Sequence, residues 1–176
     1  MRLSSPGFSI RCGGYTRFEL VVRVLVGAIL AATLLERMLY YQELAEHAVM
    51  EATIIHIRSG MRLHVADLMT QQRNGEIGAM LNENPVRWLQ HPPEGYAGAL
   101  EREPAGGMPG GSWYFDSGRG ELVYVPKLAR FFSGAQGKRE ARFRVTARTI
   151  GTVQKEGQPR QVEGVDIVPV QSYKWF

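Results

Sequence analysis

One long apolar run near the start of the sequence limits the folds open to this chain. It reads LVVRVLVGAILAATLL from Leu20 to Leu35 and carries a single charge, Arg23. Extended to residues 18–38, the segment approaches the ~20 residues that an α-helix needs to cross a bilayer. A cleaved secretory signal is not expected, because bulky and charged residues 36–41 follow where small residues would be required. The run therefore predicts one membrane-spanning helix.

The composition excludes several other classes of protein. With 176 residues, 44% hydrophobic and 22% charged, the chain can build a globular domain besides the span and is not wholly disordered. A mean hydropathy of -0.19 leaves room for one span at most. The single cysteine, Cys12, forbids an internal disulfide and a multi-cysteine zinc site. The net charge of +4 is compatible with an anionic partner without requiring one.

The residues before the apolar run form a second pattern. Residues 1–14 are polar, contain two arginines and contain no acid. Glu19 then stands just inside the apolar helix, where a carboxylate is unfavourable and normally signals a function. A basic leader ending in Gly14, the aromatic Tyr15, and a glutamate at the fifth position counted from Tyr15 resemble the signal of type IV pilins and type II secretion pseudopilins.

The resemblance implies a processed structural subunit rather than an enzyme. Residues 1–14 would be a prepilin leader, cut by a prepilin peptidase between Gly14 and Tyr15, after which Tyr15 is N-methylated. The helix would assemble with other pilin-like subunits into a helical filament, on an inner-membrane platform driven by an ATPase. Glu19 would direct assembly, because its carboxylate can neutralise the new N-terminal amine of a neighbouring subunit in a low-dielectric helix bundle.

The resemblance and the charges also imply a location. The chain would be a single-pass protein of the bacterial inner membrane, surrounded by its lipid. The arginines of the leader and Arg17 would keep the N-terminus in the cytoplasm and place the C-terminal head in the periplasm. Residues 15–176 contain no cysteine, so the C-terminal disulfide of many major pilus subunits is missing. This favours a pseudopilin or a minor pilin.

Arg17 and Arg23 depart from the family's pattern, which has apolar residues at these positions. Arg17 is close enough to the start of the helix to reach the lipid headgroups. Arg23 follows Glu19 by four residues, which is the favourable order for an ion pair on a helix. One hypothesis is that Arg23 masks Glu19 in the membrane; the alternative is that Arg23 merely extends to the interface.

The helical pattern continues after the span. Residues 15–38 are predicted to form the transmembrane half of one long helix, and residues 39–74 its amphipathic periplasmic half. The sequence Arg73-Asn74-Gly75 is expected to end it. The apolar face of the second half is predicted from residues spaced by three and four, namely Met38, Tyr41, Ala45, Ala48, Ala52 and Ile55. The charged residues are expected mostly elsewhere on the helix, namely Glu43, Glu46, Glu51 and Arg58.

Residues 75–176 are predicted to form a globular head with a small antiparallel sheet. Asn84-Pro85 can begin a short helix, whereas residues 92–111 hold too much glycine and proline for regular structure. Residues 112–116 and 121–125 indicate a hairpin, residues 140–150 a half-buried strand and residues 162–170 an edge strand. A long helix on such a sheet is an α+β fold. It agrees with the pilin-like roll that the resemblance implies.

The side chains that could carry chemistry are few. The four histidines have no metal-ligand spacing, and no phosphate-binding loop, nucleophile elbow or paired-carboxylate motif is present, so we expect no metal, cofactor or catalytic site. His47 and Glu51 are expected to form a solvated pair. Arg142, Arg144 and Arg148 share one strand face and could contact DNA or a partner. A solvated face is favoured, because no aromatic stacking platform accompanies the arginines.

Two other functions therefore stay open beside the filament subunit. One is a non-polymerising, single-pass periplasmic adaptor, which would keep residues 1–14 and would not depend on Glu19. The other is a DNA-binding minor pilin, which would use Arg142, Arg144 and Arg148.

Overall fold

The computed structural model of the chain describes residues 16–102, 104, 106–148 and 164–176. Its first element is the α-helix α1, Arg17–Thr70. The chain divides into two units, Met1–Tyr40 and Tyr41–Phe176, which we call the first and the second unit. The boundary lies close to the predicted end of the span at residue 38.

The described part of the first unit is the apolar part of α1. Its large hydrophobic side chains are exposed, and the most apolar window of the helix contains no buried residue. By length and composition this helix is able to cross a membrane.

The second unit uses a different face of α1 from the one predicted. The buried residues follow the three-and-four spacing of a helix face, and they are Glu43, Met50, Ile54, Ile57, Met61, Val65 and Leu68. The predicted face was wrong: Tyr41 and Ile55 are exposed, Ile55 by 54%. The prediction failed because it assumed that acidic residues lie on the solvent side, whereas Glu43 begins the buried face.

Two short 3-10 helices follow α1, which ends at Thr70, a few residues before the expected stop. The first covers Asn74–Asn82 and buries Ile77 and Met80. The second, Pro85–Trp88, confirms the predicted short helix. Its start is capped by the side chain of Asn84, whose oxygen accepts a hydrogen bond from the Val86 amide at 3.1 Å.

A mixed five-stranded sheet packs against these helices. Its strands lie in the order β1-β2-β3-β5-β6, and a separate two-stranded sheet pairs β4 with β7. The strand bounds are β1 Tyr96–Leu100, β2 Ser112–Asp116, β3 Glu121–Val125, β4 Phe132–Ser133, β5 Ala141–Arg148, β6 Gly164–Pro169 and β7 Lys174–Trp175. The hairpin β2–β3 and the half-buried strand β5 confirm the predictions, and β6 is the predicted edge strand.

Strand β1 corrects the prediction of a purely antiparallel sheet. It lies in the segment expected to be irregular, and it pairs with β2 in parallel. Gly95 is needed at the start of β1, because its φ is +74° and an added Cβ would lie 2.5 Å from the Gly111 carbonyl oxygen. Gly95 therefore permits the pairing of β1 with β2, although the glycine content of this segment was taken to exclude regular structure.

The core lies between the buried face of α1 and one face of the sheet. That face presents Trp113, Leu122, Tyr124, Phe143 and Val145. Its register places Trp113 opposite Tyr124, and their ring centroids are 4.6 Å apart. The coarse architecture is thus an α+β fold, with a long helix on a sheet.

Candidate assembly segment and associated contacts

The expected cleavage position, Gly14 and Tyr15, lies outside the described residues. Thr16 precedes the first residue of α1, and its hydroxyl oxygen accepts a hydrogen bond from the Glu19 amide at 3.3 Å. Thr16 is thus the N-cap of the helix, with Glu19 at the third helical position. The T-x-x-E spacing signals this cap, and the sequence reading missed it. The hydrogen bond to Thr16 uses the backbone amide of Glu19. The carboxylate of Glu19 is therefore available for other partners.

The carboxylate of Glu19 pairs with Arg23, as the four-residue spacing predicts. The distance between Oε1 of Glu19 and Nη2 of Arg23 is 2.5 Å, and both side chains are exposed. A pair in this position is accessible to a lipid or to another subunit. The geometry satisfies one requirement of the hypothesis that Arg23 masks Glu19, namely that the two side chains meet on the helix.

Breaking this pair is expected to lower the yield of membrane-inserted chain. Arg23→Leu leaves the Glu19 carboxylate unpaired, and a charge at the centre of a membrane helix costs about 2.5–3.5 kcal/mol on insertion scales, less near the interface. Adding Glu19→Ala to Arg23→Leu should restore the yield. The measurement is the amount of full-length chain in the membrane fraction. A higher yield for Arg23→Leu alone, or no rescue by the second change, would contradict masking.

Two acidic side chains of α1 hold a loop of the second unit. Glu43 is 2% exposed, and its Oε1 accepts hydrogen bonds from the Phe131 amide at 2.9 Å and from Nε1 of Trp175 at 3.1 Å. Glu46 accepts from the amides of Lys127 and Leu128. Both carboxylates therefore act as acceptors for N–H donors of this loop, and Glu43 also satisfies the buried indole N–H of Trp175. The sequence reading missed them, although Glu43 precedes the buried Met50 by two helical turns.

Glu46 also accepts a hydrogen bond from the hydroxyl of Tyr124 at 2.8 Å. Burial raises the pKa of Tyr124 well above its usual value, and the hydrogen bond to the Glu46 carboxylate raises that pKa further. The phenol thus stays protonated in the folded chain under conditions where an exposed tyrosine ionises.

Tyr124→Phe is expected to cost about 1–2 kcal/mol near neutral pH, because it removes a hydrogen bond to a charged acceptor. With the pKa raised on folding, the contribution of Tyr124 is complete below the unfolded value of about 10 and is lost as pH rises towards the folded value. The advantage of the parent chain over Tyr124→Phe should therefore shrink above about pH 10. Urea unfolding of both chains in detergent at two pH values measures this. A constant difference would contradict it.

Arg58 makes a further contact between α1 and the sheet. Its Nε donates to the Asp166 carboxylate at 2.6 Å, and its Nη2 donates to the Ile167 carbonyl oxygen at 3.0 Å. Arg58 was expected to lie mostly off the packed face. The structure instead places it at the edge strand β6, where it partners a carboxylate and a carbonyl group at once.

Arg142 lies among three carboxylates on the sheet face opposite the core. Its guanidinium donates to Glu140 at 2.9 Å, Glu121 at 3.1 Å and Asp116 at 3.3 Å. Burial acts to lower the pKa of Arg142, but the hydrogen bonds to Glu140 and Glu121 outweigh it, so the pKa is raised. The side chain is 11% exposed and stays charged.

The three arginines considered for DNA contact are thus in different environments. Arg142 is mostly buried in its ion pairs, and Arg144 pairs with Glu121 at 2.6 Å while remaining 49% exposed. Arg148 is exposed at the end of β5. Pairing with Glu121 and its neighbours removes much of the positive potential that binding a phosphate backbone would need.

His47 and Glu51 form the expected pair, in which the His47 side chain is 22% exposed and that of Glu51 59%. Nε2 of His47 lies 3.3 Å from the Glu51 carboxylate, and the His47 ring also packs against Trp175, with ring centroids 5.0 Å apart. Within the described ranges, no group of three histidine, cysteine, aspartate or glutamate side chains is arranged to hold a metal ion.

The structure therefore brings together Glu19 with Arg23, and Arg142 with Arg144 through Glu121, while Gly14 and Tyr15 lie outside its description. Comparison of the chain with protein-family models, curated protein sequences and solved structures finds no match in any of the three.

Proposed function

We propose that this protein is a pilin-like structural subunit of a type II secretion or type IV pilus filament. The observation that carries the proposal is the first part of α1, an exposed apolar helix with a glutamate in its first turn. Such a surface must be covered by lipid or by other helices. A subunit that moves from a membrane into a filament needs both kinds of cover in turn.

The position of Glu19 favours a role in filament assembly over a role in membrane anchoring alone. A helix that only anchors a protein gains nothing from a carboxylate at this position, and the carboxylate makes insertion less favourable. In the separate chain the ion pair with Arg23 offsets this effect. In a helix bundle the N-terminal amine of a neighbouring subunit can take the place of Arg23. The new pair then favours one axial register, because a charge left unpaired in the bundle costs several kcal/mol.

The second unit is compatible with the same function. It is an α+β unit in which part of the long helix packs on a sheet, as in the roll that the resemblance implies. Its parallel strand β1 is additional to the expected antiparallel arrangement. Within the proposal, prepilin peptidase cuts after Gly14, Tyr15 is N-methylated, and the helix holds the head on the periplasmic side of the inner membrane. An inner-membrane platform and its ATPase then assemble the filament.

A comparison of two glutamates in the same helix tests the assembly role. In cells that naturally make this protein, Leu34→Cys in a Cys12→Ser background supplies one exposed thiol for cross-linking between copies. We expect cross-linked multimers in this chain and their loss on Glu19→Ala. Glu36→Ala is the matched control, since Glu36 is exposed in the same helix and should not affect cross-linking.

The outcome separates a filament subunit from an adaptor. If Glu19→Ala chains enter the membrane in normal amounts but no longer cross-link, Glu19 acts in assembly. If Glu19→Ala and Glu36→Ala chains cross-link as well as the parent chain, or if the parent chain never cross-links, the protein is better described as a non-polymerising anchored adaptor.

A further inference from the structure

A groove of the second unit lies between α1 and the edge strand β6, and we call it the α1–β6 groove. Its volume is about 290 Å³. The buried core side chains Ile54, Phe143 and Ile167 line it, together with Ile55, which is 54% exposed. The lining is thus largely apolar and open to the outside. An apolar groove on the surface of a protein is suited to a partner that brings an apolar group.

The groove does not offer β6 as an edge for a further strand. The Ile167 amide donates to the Asp166 carboxylate at 2.9 Å, and the Ile167 carbonyl oxygen accepts from Nη2 of Arg58 at 3.0 Å. Pro169, which also lines the groove, has no backbone N–H. An added strand would need these backbone groups. The occupant that fits is therefore an apolar side chain.

Leu63 is an apolar side chain of the same unit that lacks cover. It is 74% exposed on α1. Nine residues, or about two and a half helical turns, separate it from Ile54, so the two side chains leave the helix in opposite directions. Leu63 also lies about 13 Å further along the helix axis than Ile54. It cannot fill the groove of its own chain, whereas a second copy can supply it.

The charges beside Leu63 and beside the groove are complementary. Asp67 is exposed one turn beyond Leu63, and Arg62 is exposed two turns beyond Ile55, on the flank of the groove. Among the residues that the structure describes, neither Asp67 nor Arg62 belongs to an ion pair. When the α1 helices of two copies run in the same direction, a Leu63 that enters the groove brings Asp67 towards Arg62. The arginine side chain points back along its helix, which shortens the remaining distance.

We propose that Leu63 of one copy inserts into the α1–β6 groove of the next copy, where Asp67 pairs with Arg62. The proposal rests on the proposed function as a filament subunit and names a contact within that filament. Because the two surfaces lie on opposite flanks of α1 and at different heights, the contact is heterologous. Each copy then keeps one free surface of each kind, so that copies add one after another into an open array.

Cysteine pairs in the full chain test the contact. In a Cys12→Ser background, Leu63→Cys and Ile55→Cys are made singly and together, and a short bifunctional thiol reagent is added to membranes of cells that naturally make the protein. Cysteine at position 63 is small but still apolar. Val49→Cys with Ile55→Cys is the matched control. Val49 is 65% exposed on the same flank as Leu63, but about 21 Å away along the axis.

We expect a ladder of multimers from the chain with cysteines at positions 63 and 55. A mixture of the two single-cysteine chains should give dimers, and each single-cysteine chain alone should give several-fold fewer. A ladder no stronger than that of the Val49 control would overturn the proposal. Strong dimers of the Leu63→Cys chain alone would show a contact between like surfaces and would also overturn it.

Reversal of the charges tests the pairing of Asp67 with Arg62 in the same cysteine background. Asp67→Arg and Arg62→Asp should each weaken the ladder several-fold, because each change places like charges together. The two changes combined should restore it. Two weakened single variants with no recovery in the combined variant would overturn the proposed contact.

The Leu34→Cys cross-linking described above separates this contact from the filament role. If copies cross-link through position 34 but not between positions 63 and 55, the filament role stands and the groove contact is overturned. If neither arrangement cross-links, the filament role is contradicted as well.

Discussion

Arg142→Ala is expected to destabilise the second unit by about 3–5 kcal/mol, the range found when one partner of a buried ion pair is removed. Asp116, Glu121 and Glu140 converge on the Arg142 guanidinium from strands β2 and β3 and from the residue just before β5. Without Arg142, Glu121 keeps its ion pair with Arg144, and three carboxylates remain close together. Urea or thermal unfolding of the full chain in detergent measures the loss.

The chain offers a matched control on the same strand. Arg144→Ala removes an equal charge and a bond to the same Glu121, but from a side chain that is 49% exposed, so the expected cost is below about 1 kcal/mol. Arg142→Lys should lie between the two, because an ammonium group cannot reproduce the planar donor geometry of a guanidinium. Equal effects of Arg142→Ala and Arg144→Ala would show that the buried arrangement does not determine the stability of this sheet face.

Glu43→Ala is expected to cost about 2–6 kcal/mol, since it removes the acceptor of one buried and one part-buried donor, at about 1–3 kcal/mol each. The donors are the Phe131 amide and the Trp175 indole N–H, and both reach the same oxygen of Glu43. Besides unfolding, intrinsic Trp fluorescence in detergent should report the change at Trp175.

Both donors use Oε1 of Glu43, so Glu43→Gln tests whether the acceptor oxygen or the negative charge stabilises this contact. Glutamine keeps an oxygen of similar position, so Glu43→Gln should lose clearly less stability than Glu43→Ala. Glu51→Ala controls for the loss of a carboxylate from an exposed position of the same helix, where Glu51 pairs with His47. A loss for Glu43→Gln as large as that for Glu43→Ala would mean that the charge matters rather than the acceptor.

The parts of the fold that the sequence predicts depend on local patterns. The hairpin β2–β3 and the alternation in β5 follow from residues that are close in sequence, and the Asn84 cap follows from one Asn-Pro pair. Strand β1 could not be predicted in the same way, because its parallel partner is separated from it by a long return segment. The face of α1 was mispredicted because the partners of Glu43 are far away in sequence.

The same distinction applies to the candidate site. The Glu19–Arg23 pair and the Thr16 cap are contacts within one helical turn, so spacing alone can indicate them. The partners of Arg142 depend on strand register, which places Glu121 opposite Arg144 and Val123 opposite Arg142. A run of arginines therefore looks positive in the sequence but is largely balanced in the sheet.

The central claim, that this chain is a prepilin-type subunit, depends most directly on its processing. The measurement is the intact mass and the N-terminal sequence of the protein isolated from its native membrane. The account predicts a chain that begins at Tyr15 and carries one added methyl group. A chain that still begins at Met1 in cells with an active prepilin peptidase would contradict it, and the simple membrane anchor would then be the better description.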